Sequence, residues 1–449
     1  MKKILSKIAI IFSVLAVLIL ILLVIILFLP SVLSLFSKDI DPPDVSDIQV
    51  KILAINTENN SYFDLIKIDK NIYIPEDKML ILNYAQGESW NDEVVADLLS
   101  KNSEALSYFT DASIRSAYQD MTIDPATFSA NTILPPMSSW RTASQLSSIK
   151  ARYLAKQGKT TEAIEEAFKS LAVGHQIQNS QSPLIEYLVS LALKNLALQT
   201  MQSIITDNKL STAEITKIIP KIDLYLDNGE GLKNAFKLEG MMGSRELDSI
   251  AYVSNKTMEE IVNNLTADGA EKDSLGILTV GRNKNYYFKV NKTKQIAAEY
   301  VRNQVKNVDE TCEVSLRPRN EEKLVTDLSP TSLYFSENAI GKIMHDTVML
   351  GLNGVFEKRC EENFRLSSTK LLFAIKAYKN DRGELPPVLA DLTPIYIDSI
   401  PKDPYDGEDV RYDINKKIIY SVGKNGKDLG GSDDVDWNKS ENPSVKIGF

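Results

Sequence analysis

The chain has 449 residues, 43% of them hydrophobic and 25% charged, and its 60 acidic side chains outnumber 51 basic ones for a formal net charge of -9. That balance belongs to folded protein and not to a disordered chain. It also argues against nucleic acid or an anionic lipid face as partner, because both need clustered Lys and Arg.

The first segment carries Lys2, Lys3 and Lys7 and then runs uncharged from Ile8 to Ser37, with IAIIFSVLAVLILILLVIILFL as its apolar part and Pro30 following. About 20 apolar residues suffice for a helix to cross about 30 Å of hydrocarbon, so this run predicts a transmembrane helix. A cleaved signal peptide shares the basic flank and apolar stretch. The run is longer than an ordinary signal core, however, with no A-x-A-like site after it and no cysteine nearby to accept a lipid. Lysines before the span and a large domain after it orient the N-terminus to the cytoplasm. The bilayer is then one partner, through this helix, in a bacterial inner membrane, with everything from about Lys38 onward extracytoplasmic. Lys2, Lys3, Lys7 and Lys38 are the charges of this part, so the remainder is four charges more negative than the whole. Its length predicts two or three domains. Cys312 and Cys360 are the two cysteines. In an oxidising compartment they either pair or remain two buried thiols, and spacing does not choose between these.

KDIDPPDVS, from Lys38, reads as a short extended stalk, since Pro42 and Pro43 disfavour helix. Residues 39–265 are expected to form an α-helical body, a bundle or a short helical repeat. NDEVVADLLSKNSEALSYF has apolar residues returning at three and four. MSSWRTASQLSSIKARYLAKQGKTTEAIEEAFKSLAVGHQIQ repeats that period on a helix-turn-helix frame. Within it Tyr153, Leu154, Gly158, Ala163, Ile164, Ala167, Phe168 and Leu171 resemble one tetratricopeptide-type hairpin, with Gly158 at the turn. Pro183 opens LIEYLVSLALKNLALQTMQSII, apolar on nearly every face and therefore central. Ser211 with Glu214 reads as a capping box for the next helix. Residues 266–340 read as an irregular connection holding one helix, TKQIAAEYVRNQV.

Catalytic signals are few. His175 and His345 are the only histidines, which leaves no paired-histidine zinc motif and little for a Ser-His-Asp arrangement. Ser147-x-x-Lys150 and Ser367-x-x-Lys370 match the serine nucleophile motif of penicillin-binding proteins, without the S-D-N or K-T-G elements that complete such a site. The expectation is a non-enzyme; the alternative is an envelope hydrolase whose polar residues converge only in three dimensions.

Residues 341–449 predict an α+β module. The helix VFEKRCEENFRLSSTKLLFAIKAYKND carries Phe364, Leu371, Ile375 and Tyr378 on one stripe. ELPPVLADL, IPKDPYDG and a hairpin follow, in which Val410, Tyr412 and Ile414 face Ile418, Tyr420 and Val422 across Asn415-Lys416. YSVGKNGKDLGGSDDVDW then gathers Asn425, Asp428, Asp433, Asp434 and Asp436 among four glycines, a set of hard oxygen donors on a pliant backbone. The order LLFAIKAYKNDRGELPP, PKDPYDGEDVRY, YSVGKNGKDLGG and an acidic pair resembles the soluble domain of the major pseudopilin of type II secretion systems, over about Val355 to Trp437. That resemblance implies a structural Ca²⁺ held by the Val422 carbonyl, Asn425, Asp433 and Asp434. Asn425 stands where the family usually has Asp, and Asp428 or Asp436 would compensate. A solvated turn without metal is the plain alternative. The prepilin-peptidase signature is missing, so a processed pilus subunit is not expected. Helical body and tail together resemble bacterial membrane-anchored proteins that carry this module, which implies an architecture and no activity. The expected role is structural or interactive, accessory to secretion or envelope assembly, with a protein partner that the residues do not name.

Overall fold

The computed structural model describes residues 2–51, 54–77, 79–254, 260, 283–317, 324, 332, 334–349, 354–432, 437 and 440–449. In chain order its helices are α1 (Lys2–Phe36), α2 (Tyr62–Asn71), α3 (Met79–Gln86), α4 (Asp92–Lys101), α5 (Ser103–Ser113), α6 (Met137–Lys156), α7 (Thr160–Gln178), α8 (Leu184–Asp207), α9 (Thr212–Asp223) and α10 (Glu230–Ala251). There follow α11 (Lys284–Tyr287), α12 (Val290–Asn307), α13 (Cys312–Ser315), α14 (Ala339–Met344) and α15 (Gly354–Arg382), then strands β1 (Arg411–Asp413), β2 (Ile418–Tyr420) and β3 (Ser444–Lys446). A mainly helical protein with one small antiparallel sheet is thus what the sequence pattern forms. The chain divides into two compact units, one of Met1–Asp47, Gly243–Tyr300 and Arg319–Leu352, the other of Ile48–Met242, Val301–Pro318 and Asn353–Phe449.

In the larger unit the α6–α7 hairpin forms as its sequence predicts, turning at Gly158, whose φ of +79° is the left-handed region that glycine enters without strain. The capping box forms too: Ser211 Oγ accepts from Glu214 N while Glu214 reaches back to Ser211 N at 2.9 Å. The helical run after Trp90 is divided at Asn102, a buried residue whose Nδ2 donates to Leu98 O and whose Oδ1 accepts from Tyr73 N at 2.8 Å. A side chain bonded to the backbone interrupts what periodicity alone reads as continuous. α8 lies against α6, α7 and α15, which explains apolar residues on nearly all its faces.

α15 is buried on two sides. Phe364, Leu371 and Ile375, from its expected stripe, are buried, and so are Leu366, Leu372 and Phe373 around the helix. One flank meets α8 and α9, where Gln202 Nε2 donates to Thr369 Oγ1 at 2.8 Å. Another flank meets β2. A single core therefore runs from Ala163, Leu171, Leu198 and Ile215 through Leu372 and Ile375 to Ile419 and Val445. The sheet order is β1-β2-β3, with Arg411 opposite Tyr420 and Ile419 opposite Val445. Cys312 and Cys360 are joined by a disulfide that ties α13 to α15.

The smaller unit holds α1, in which large apolar side chains from Ile10 to Phe36 stand mostly exposed. Among the described residues no single helix is long and apolar enough to cross a membrane. The bent pair Ile10–Ile26 and Phe28–Phe36, at 45°, meets that length and composition together. The chain leaving α1 is fastened to its own unit. Asp39 accepts from Asn291 N at 2.8 Å and Lys292 N at 3.1 Å, capping the start of α12, while Tyr334 Oη donates to Ile26 O at 2.8 Å.

Candidate metal site and the buried polar clusters

The acidic loop is pinned at both ends. Its first residue, Tyr420, is the last of β2. At the far end Trp437 donates from Nε1 to Ser444 O at 3.0 Å, and its ring lies 5.2 Å from that of Phe364 and 3.7 Å from the Arg365 guanidinium. Burial lowers the Arg365 pKa to about 10, still a cation over an aromatic face at neutral pH.

Asp403, the first residue of Asp403-Pro404-Tyr405-Asp406-Gly407, is the hub beneath the loop. It is fully buried and accepts from Tyr405 N at 3.0 Å, Ser421 Oγ at 2.8 Å, Val422 N at 3.0 Å and Arg411 Nη1 at 2.9 Å. Arg411 also grips Asp406, so one guanidinium bridges two acids of the turn. Gly407, at φ +76°, allows the chain to double back to Asp403.

The described ligand candidates are engaged within the protein. The Val422 carbonyl accepts from Asn442 Nδ2 at 2.8 Å. Asn425 accepts from Lys427 N at 2.9 Å and donates to Glu441 at 3.1 Å. Asp428 accepts from Gly430 N at 2.9 Å. Asn442, almost wholly buried, gives a second bond to Lys427 O at 2.9 Å and accepts from Leu429 N at 2.7 Å. Its carboxamide thus bridges two carbonyls of the loop, as a cation would, and binds one amide besides. Asp433, Asp434 and Asp436 lie outside the described residues. Among the described residues no three His, Cys, Asp or Glu side chains converge as a metal site. The described half of the loop keeps spare lone pairs on the Val422 carbonyl, the Asn425 side-chain oxygen and the Asp428 carboxylate, each of which accepts at least one hydrogen bond already.

A second polar cluster fastens α15 to the helical body. Lys194 and Glu362 are fully buried and 2.6 Å apart, with Lys194 also donating to Gln178 Oε1 and, at 2.8 Å, to Tyr225 O. Beside them Arg359 meets Asp227 at 2.6 Å, and Tyr187 Oη donates to the same carboxylate at 3.0 Å. Burial opposes the Asp227 charge, but Arg359 and the Gly229 N–H outweigh it and hold its pKa below the usual value. Such pairs add little net stability over apolar packing, yet leaving one partner alone is costly, so they select this docking of α15 over others. His175 stands next to this cluster, edge-on to Tyr225. Burial and the Lys194 ammonium lower its pKa to about 4, so at neutral pH it is an uncharged packing residue.

In both Ser-x-x-Lys matches the lysine is held in an ion pair. Ser147 donates to the Glu166 carbonyl at 3.1 Å, and Lys150 pairs with the Glu166 carboxylate at 3.2 Å, joining α6 to α7. Ser367 and Lys370 line a cavity of about 300 Å³ with Asp223, Asn363 and Lys402. There Lys370 donates to both Asp223 oxygens, at 2.8 and 2.7 Å, joining α15 to α9.

Sequence reasoning assigned no role to Asp403, Asn442 or Lys194. Each had a signal. Asp403 opens a Pro-containing turn, Asn442 precedes Pro443, and Lys194 interrupts a helix apolar all round, where a lone cation must find an acid. No protein-family model matches the chain, and no curated protein or solved structure matches it either.

Proposed function

We propose that the chain is a single-pass bacterial membrane protein whose folded part lies outside the cytoplasm and serves as a structural or interaction component, accessory to secretion or envelope assembly. The observation that carries this reading is the Cys312–Cys360 disulfide, since such bonds persist in oxidising compartments. The exposed apolar face of α1, behind Lys2, Lys3 and Lys7, supports it independently. In this reading α1 enters the bilayer, and the bonds of Asp39 to the start of α12 fasten the chain leaving it to the rest of the smaller unit.

The C-terminal module is proposed to be pseudopilin-like, supported by the order of its motifs and by α15 lying on β2. Its Ca²⁺ is proposed to rest on the Val422 carbonyl, Asn425, Asp433 and Asp434, with Asp428 or Asp436 making up the charge that Asn425 does not carry.

Membrane fractionation with thiol alkylation tests the location. The expected result is retention in the membrane after a carbonate wash, with both cysteines protected until reductant is added; release by the wash, or two alkylatable thiols in native protein, contradicts it. For Ca²⁺, excess chelator is expected to lower the melting temperature and added Ca²⁺ to restore it. A melting curve indifferent to both removes the metal from the proposal.

A further inference from the structure

Tyr118, Asp120 and Glu186 meet inside the helical body, where the first turn of α8 lies against the segment that follows α5. Glu186 is 0% exposed, and Tyr118 and Asp120 are each 2% exposed. Four of their oxygens, Tyr118 Oη, Asp120 Oδ2 and both Glu186 carboxylate oxygens, are shut off from solvent and have no hydrogen-bond partner. Asp120 and Tyr118 are the polar side chains that act on the Glu186 carboxyl from close by.

The backbone around them is already committed. Asp120 Oδ1 accepts from Thr122 N and Thr122 Oγ1, both at 2.7 Å. Leu184 N, at the opening of α8, donates to Glu239 Oε1 at 3.0 Å, and Glu186 N donates to Pro183 O at 3.0 Å. The walls are aromatic, with the Trp140 ring 5.8 Å and the Tyr62 ring 6.3 Å from that of Tyr118. The titratable groups that act on the cluster are Asp120 and Tyr118 from the connecting segment, Glu186 from α8 and Tyr62 from α2. Among the described residues none of these is a cation.

Two carboxylates in contact, buried and without a cation, do not both stay ionised. A single proton removes one charge and supplies the missing donor. On Glu186 it makes the carboxyl a donor to Asp120 Oδ2 and leaves the other Glu186 oxygen as an acceptor for the Tyr118 hydroxyl. We propose that Glu186 and Asp120 share one proton, clasped by Tyr118, as a pH-sensitive lock between the start of α8 and the segment behind α5. A divalent cation would also neutralise the pair, but four oxygens fall short of the six to eight that Ca²⁺ takes.

Burial first and Asp120 second raise the Glu186 pKa well above its ordinary value of 4.5. A carboxyl that holds its proton more tightly when folded contributes stability that is complete below 4.5 and is lost as pH rises through the folded value. The test is the thermal midpoint of the full chain in detergent micelles across acid to alkaline pH, for wild type and Glu186→Gln. The glutamine amide donates to Asp120 and its carbonyl accepts from Tyr118 without any proton to lose. The variant is expected to match wild type at the acid end and to melt progressively higher than wild type as pH rises. Infrared spectra at neutral pH are expected to show a protonated-carboxyl C=O band in wild type that the variant lacks. Parallel midpoint curves, or no band lost, overturn the proposal, and so does a Ca²⁺-induced stabilisation that Glu186→Gln abolishes. If Glu186→Gln does not fold, Asp120→Asn serves in its place. The titration midpoint of the wild-type band is then expected to move to lower pH, and an unmoved midpoint overturns the lock.

Discussion

Asn442 shows how much one side chain in a tail can hold. Its amide donates to Val422 O and Lys427 O while its carbonyl accepts from Leu429 N, so three points of the acidic loop converge on it. Asn442→Ala leaves those groups in a buried site without their partner, and the expected loss is about 2 to 3 kcal/mol of unfolding free energy. Urea denaturation of the full chain measures it; a midpoint equal to wild type means that water replaces the amide at no cost. Burial and Lys194 lower the His175 pKa from 6.5 to about 4, which has the opposite pH sense to Glu186. The unfolded chain takes up a proton near pH 6.5 that the folded chain refuses until about 4, so this histidine weakens the fold as pH drops through that window. His175→Gln is expected to flatten that part of the stability curve, read from denaturation midpoints at pH 7 and pH 5.

Among the elements, helix packing turns on positions where no side chain fits. A Cβ on Gly231, in the first turn of α10, would lie 1.6 Å from the Gln178 carbonyl oxygen, a backbone atom at the end of α7 that cannot swing aside. Gly231→Ala is therefore expected to cost about 3 kcal/mol or more by forcing the two helix ends apart. A melting temperature within a degree of wild type would show that the ends separate freely. α15 and β2 make a related point about legibility. The stripe Phe364, Leu371, Ile375 and Tyr378 identifies the helix and one buried face. The second face, which meets α8 and α9, leaves no clean stripe because residues all round the helix are buried. Likewise Ile418, Ile419 and Tyr420 are all buried, so β2 does not alternate, and β3 pairs with it from a tail whose three residues carry no strand signal of their own.

For the molecule as a whole, the disulfide joins two cysteines of the larger unit across a sequence separation of 48 residues. On a chain-entropy estimate it contributes about 4 kcal/mol. Reductant in urea is expected to lower the unfolding midpoint accordingly, and Cys360→Ala to lower it by a similar amount in the absence of reductant; midpoints unchanged in both would show that the bond constrains nothing in the unfolded chain.

Local signals were sufficient for much of this architecture. The apolar N-terminal run, the α6–α7 hairpin with its glycine turn, the Ser211–Glu214 cap and the helix-then-hairpin order near the C-terminus each rest on residues within a few positions of one another. The sequence alone therefore determined several of the helices and where some of them begin and end, though not α2 or α3, nor the break at Asn102. Only tertiary structure decided that Cys312 finds Cys360, that Lys194 and Glu362 meet, that Asp403 lies beneath Val422, and that Glu186 stands against Asp120. Such partners are separated by tens of residues or more, and a buried charge or amide is stable only when a distant segment completes it. Composition and period describe a residue's own strand or helix and carry no record of what that partner will be.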